Sequence, residues 1–69
     1  MAPRYRIESG PNTDRMGNRV MPLYRTEVWL VTEDGTETWL SKSVGWKPIE
    51  VEDHAVERAN ERVAREDLA

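Results

Sequence analysis

The chain has 69 residues, no cysteine, a net charge of −3, 38% hydrophobic and 33% charged residues. That balance describes a soluble globular protein and excludes a disulfide framework, a thiolate metal centre and a disordered tail. The longest uninterrupted apolar run, Val28–Val31, has four residues, where a membrane helix needs about 20. The first ten residues hold no apolar leader segment, so the expectation is one small cytoplasmic domain over residues 1–69.

Residues 4–8 alternate, with Tyr5 and Ile7 on one side and Arg4, Arg6 and Glu8 on the other, which predicts a short strand. Residues 9–19, with Gly10, Pro11, Asn12, Asp14 and Gly17, read as a mobile loop. A hairpin is predicted over about residues 23–42, turning at Glu33-Asp34-Gly35. Pro22 lacks an N–H, so pairing is expected to begin after it. The turn leaves two registers open. A two-residue turn at Asp34-Gly35 sets Leu30 opposite Trp39. A type I turn over Thr32–Gly35 with a glycine bulge pairs Thr32 with Thr36, Trp29 with Trp39 and Val28 with Leu40. The second sorts side chains better, placing Val28, Leu30 and Leu40 on one face and Trp29, Val31 and Trp39 on the other.

Residues 43–51, with Gly45, Trp46 and Pro48, predict an irregular crossing loop, and a helix follows over about residues 53–66. Asp53 is the expected N-cap, Glu50 and Glu52 suit the helix dipole, and Ala55, Val56, Ala59 and Val63 form the buried stripe. The fold class is therefore α+β: a three-stranded antiparallel sheet packed by one C-terminal helix.

Charge is unevenly spread. Residues 1–26 carry +3 through Arg4, Arg6, Arg15, Arg19 and Arg25 against Glu8 and Asp14, and residues 48–69 carry −4. A protein that holds DNA by its phosphates is usually basic overall. Net charge thus disfavours a nucleic-acid partner, for which those five arginines are the candidate contacts. His54 is the only histidine, and no serine lies in a nucleophile-elbow pattern. No metal-ligand or phosphate-loop spacing occurs either. No enzymatic activity, cofactor, metal or small-molecule substrate is expected.

Trp29, Trp39 and Trp46 dominate the aromatic area of a chain without phenylalanine. One helix covers one face of such a sheet and leaves no second layer for the other. The face carrying Trp29, Val31 and Trp39 is then either the core or an interface, and those three residues with Arg15 and Arg19 of the long loop are the candidate partner contacts.

Trp39-Leu40-Ser41 ending a third strand, and Glu52-Asp53-His54-Ala55-Val56-Glu57-Arg58-Ala59 opening a helix, resemble the arm-binding domains of tyrosine recombinases and the plant ethylene-response DNA-binding domain. The resemblance covers about 40 residues. It implies a three-stranded sheet followed by a helix, with DNA read by arginines and tryptophans on the sheet. Here Glu27 and Glu37 make that sheet acidic. The leading expectation is a non-enzymatic protein-binding module, of the size and composition of a phage-encoded inhibitor or adaptor acting on a host or defence protein. Its partner is another protein or a second copy of itself. The alternative is a nucleic-acid-binding accessory domain.

Overall fold

Two hairpin turns of one design organise the chain. In Thr32–Thr36, Gly35 N–H donates to Thr32 O at 2.9 Å and Thr32 N–H to Thr36 O at 2.9 Å. In Asp14–Asn18, Gly17 N–H donates to Asp14 O at 3.1 Å and Asp14 N–H to Asn18 O at 2.9 Å. Each turn closes on a glycine with positive φ, +86° at Gly35 and +85° at Gly17, a left-handed conformation that glycine adopts without steric cost. The computed structural model describes residues 3–68. Its elements are β1 (Tyr5–Thr13), β2 (Arg19–Val31), β3 (Glu37–Gly45) and α1 (Pro48–Glu66). The strands form one antiparallel sheet in the order β1-β2-β3, so the α+β class read from the sequence is the architecture observed.

The glycine-bulge turn sets Trp29 opposite Trp39 and Leu30 opposite Thr38. Past that point the expected pairing fails. Val28 faces Ser41 rather than Leu40, because the register shifts by one residue between Val28 and Trp29. The extra residue is on β3, and both Leu40 and Ser41 are buried. Such a β-bulge breaks the strict alternation of faces.

Three further expectations are corrected. Of residues 9–19, expected as loop, 9–13 and 19 are strand, and β2 already pairs before Pro22, through Arg19 opposite Thr13, leaving a turn at residues 14–18. Gly10 and Pro11 are tolerated there because β1 is an edge strand, where a missing N–H on the open side costs no ladder bond. Asn12 sits in a second register shift, between Pro11 and Thr13, and its Nδ2 donates to Pro22 O at 2.9 Å. The crossing segment 43–51 shrinks to Trp46 and Lys47, and α1 begins at Pro48, with Lys47 rather than Asp53 at the N-cap. Proline at the first helical position lacks only an N–H that would be unpaired anyway.

α1 lies across β2 and β3. Its buried residues Val51, Ala55, Ala59 and Val63 form one stripe, with Val56 at its side. Ala55, Ala59 and Val63 meet Val28, Leu30 and Leu40, flanked by Tyr5 and Leu68, while Val51 sits over Gly45. Alanine at two stripe positions lets helix and sheet approach until Ser41 Oγ donates to Ala55 O at 2.6 Å. Each large aliphatic side chain buried there contributes roughly 1.5–3 kcal/mol. The polar residues beside this core are also paired. Thr26, almost fully buried, shares a 2.8 Å hydrogen bond with Ser9, and among the described residues no buried side-chain nitrogen or oxygen lacks a partner.

Candidate binding face

The helix-free face of the sheet carries residues 6 and 8 of β1, continued by Arg4 just before it, 25, 27, 29 and 31 of β2, and 37, 39, 42 and 44 of β3. Pairing brings Arg6 beside Trp29 and Trp29 beside Trp39. The Arg6 guanidinium stacks on the Trp29 ring, 3.9 Å from its centroid, where the ring's electron-rich face attracts a cation. The same guanidinium donates to Glu37 through Nε, at 3.0 and 3.1 Å, and to Glu8 through Nη1 at 2.9 Å. Hydrogen bonds to Glu8 and then Glu37 hold the Arg6 pKa above its ordinary value. Trp39 Nε1 donates to Glu27 at 3.0 Å, and Glu27 accepts Arg25 at 2.9 Å. A connected set of seven side chains thus fixes both indoles (Arg6, Glu8, Arg25, Glu27, Trp29, Glu37, Trp39).

The face is nevertheless open. Trp39 is 46% exposed and Val44 43% exposed, while Trp29 and Val31 are half-buried. No second layer lies over them among the described residues. The helix therefore covers the aliphatic face, and the tryptophan face is not the core.

Of the candidate partner contacts, Trp29, Val31 and Trp39 come together as expected. Arg15 and Arg19 do not join them. Arg15 is at the tip of the β1–β2 hairpin and Arg19 at the start of β2, ten residues from Trp29, a strand path of about 33 Å. Of the five arginines considered for nucleic acid, Arg6 and Arg25 are engaged by carboxylates, Arg4 lies near them, and Arg15 and Arg19 are at the far tip. The residues missed from sequence are Glu8, Glu27 and Glu37, which orient the cations and Trp39. Their signal was the alternation of all three strands, which puts Glu8 of β1, Glu27 of β2 and Glu37 of β3 on the tryptophan side once the strands are paired.

The strand segments that flank the β1–β2 turn form one wall of a shallow recess of about 490 Å³, lined by Asn12, Val20, Met21 and Pro22 against Lys42, Val44 and Arg58 among others. His54 is exposed, and no group of three His, Cys, Asp or Glu side chains gathers at a metal-binding distance among the described residues. No helix of the described residues is long and apolar enough to cross a membrane. Comparison with known proteins gives no match among family models, curated proteins or solved structures.

Proposed function

We propose that the chain is a non-enzymatic, cytoplasmic protein-binding module that inhibits or adapts a larger protein through its helix-free sheet face. The observation that carries this reading is the pair of held but uncovered indoles, with Arg6 stacked on Trp29 and Glu27 bonded to Trp39. Tryptophan and arginine dominate the energetics of protein interfaces. Side chains already fixed in one rotamer lose little conformational entropy when a partner lands on them. The charges of the face are mixed, with Arg4, Arg6, Arg25 and Lys42 against Glu8, Glu27 and Glu37. Such a surface suits a partner of mixed charge better than a polyanion. Phosphates would have to displace the carboxylates that already hold Arg6 and Arg25.

The test pairs Trp39→Ala with a duplex-binding control. Trp39 is only half covered, so its truncation lowers folding stability by about 1–2 kcal/mol, below the 3–5 kcal/mol of a core tryptophan. Loss of a partner captured by the wild-type protein, with the fold retained in circular dichroism, supports the reading. Unfolding by Trp39→Ala sinks it. So does micromolar binding to plain duplex DNA that weakens steeply with salt and is lost when Arg6 and Arg25 become alanine.

A further inference from the structure

We propose that β1 is an assembly edge, and that two copies of the chain pair β1 to β1, antiparallel and centred on Ile7, into one six-stranded sheet. The proposal does not depend on what the tryptophan face binds.

The two edges of the sheet are built differently. Along β3, the helix closes the edge: Arg62 Nη1 donates to Trp39 O at 2.7 Å and to Leu40 O at 3.3 Å, and Arg58 Nη1 to Lys42 O at 3.3 Å. The bulge at Leu40 also disrupts that strand as a template. β1 has no such cover. α1 packs on β2 and β3 and reaches β1 through the Tyr5 hydroxyl, bonded to Asn60 at 2.6 Å. Ile7, on the helix side of the sheet, is left 43% exposed.

The phase of the ladder decides which backbone groups are free. Val31 N–H donates to Arg4 O, just before β1, at 2.9 Å, so along β1 it is Arg6 and Glu8 whose backbone faces β2. By alternation, the N–H and C=O groups of Tyr5, Ile7 and Ser9 point away from the sheet. No turn, cap or side-chain hydrogen bond among the described residues reaches them.

An antiparallel pair of identical strands must set these outward residues against each other, and side chains then select the register. Centred on Ile7, the two Ile7 side chains meet, Tyr5 lies opposite Ser9, and Arg6 lies opposite Glu8 of the second copy, twice by symmetry. A shift in one direction sets Arg6 against Arg6, and in the other Glu8 against Glu8. Centring on Tyr5 sets Arg4 against Arg6. Like charges directly opposite destabilise a pair of strands, and opposite charges stabilise it. The sequence Arg4-Tyr5-Arg6-Ile7-Glu8-Ser9 is therefore self-complementary in one register. The two-fold axis is perpendicular to the sheet, so both helices lie on the same side and flank the Ile7 pair.

Sedimentation of the full chain from micromolar to millimolar concentration tests this. The mass is expected to rise from 8.0 kDa toward that of a dimer, and the amide exchange of Ile7 and Ser9 to slow in parallel. Ile7→Pro removes an N–H that the fold itself does not use, together with two symmetric intermolecular hydrogen bonds, and is expected to weaken association on the order of 10- to 30-fold. Glu8→Arg, which sets arginine against arginine, is expected to weaken it as well, and decides the matter if Ile7→Pro does not fold. A chain that stays at 8.0 kDa at millimolar concentration overturns the proposal. So does a dimer that survives Glu8→Arg and a folded Ile7→Pro but is lost in Trp39→Ala.

Discussion

Gly45 ends β3 directly under the first turn of α1, and a Cβ built on it would lie 2.8 Å from Val51 Cγ2. Ordinary carbon contacts start near 3.5 Å, so Gly45→Ala forces the helix start and the strand end apart. The φ of Gly45 is not in the left-handed region, so the penalty is one of space and not of backbone strain. Overpacking of this kind costs about 1–3 kcal/mol, partly offset by about 0.4–1 kcal/mol from the stiffer unfolded chain. The single variant is expected to lose about 1–2 kcal/mol, a fall in melting temperature of roughly 4–16 °C at this size. Val51→Ala removes the clashing methyl from a residue only 4% exposed and costs about 2 kcal/mol by itself. Together the two changes exchange one filled space for another. The double variant is expected to be more stable than the sum of the singles implies, by about 1 kcal/mol or more. Urea melts of the four proteins complete the cycle. Additive effects within about 0.3 kcal/mol would refute the claim that Gly45 is required for the close seating of α1.

Two other perturbations follow from the side-chain contacts. The Thr32 hydroxyl first, and then the Thr36 N–H, hold the Asp34 carboxyl down at about 2. A depressed carboxylate stabilises the fold fully above its ordinary pKa near 3.9, and that contribution is lost as pH falls toward about 2. Acid titration of stability should therefore show a component in that window, absent in Asp34→Asn. Arg62→Met keeps the aliphatic stem but frees the Trp39 and Leu40 carbonyls at the β3 edge. Thermal unfolding should show a loss of about 1–2 kcal/mol, with more aggregation of the heated protein as a second open edge appears.

What the sequence disclosed depended on whether a local signal coincided with the tertiary constraint. The Thr32–Gly35 turn did: a glycine three residues after threonine imposes the bulged turn, and that turn alone sets Trp29 opposite Trp39. Asp14–Gly17 carries the same spacing and makes the same turn. It was hidden because Gly10, Pro11 and Asn12 before it, and Pro22 after it, resemble loop residues. Gly10 and Pro11 are tolerated because β1 is an edge, and Pro22 because β2 there runs past the end of β3 and lies in the register shift opposite Asn12, which are properties of the sheet and not of the segment. The bulge at Leu40 had no local signal. Leu40 and Ser41 are both buried because the helix needs a leucine in the core and a hydroxyl at Ala55 O. The helix start was misplaced because Asp53 is a good capping residue by type, while Pro48 followed by Glu50 was the better indicator by position. At the candidate site the indoles were found, and the carboxylates that orient them were not, because that arrangement needs three strands in register.

The choice of face, left open by apolar pattern alone, follows from charge. On β2 the tryptophan side carries Arg25, Glu27, Trp29 and Val31, whereas the other side carries Thr26, Val28 and Leu30. Glu8 and Arg6 of β1 and Glu37 of β3 fall on the tryptophan side as well. Burying that side under α1 would take several charges out of water, each costing several kcal/mol even when paired. The gain from one more covered tryptophan is smaller than that sum. The aliphatic side, whose polar groups are uncharged hydroxyls, among them Ser9 and Thr26 paired with each other, Ser41 with a helix carbonyl and Tyr5 with the Asn60 amide, carries no such penalty. The same charges that keep the indoles out of the core also hold them in place, through the Arg6 stack and the Glu27 hydrogen bond. An aromatic surface that can neither be buried by its own helix nor collapse on itself stays open, with its orientation already set.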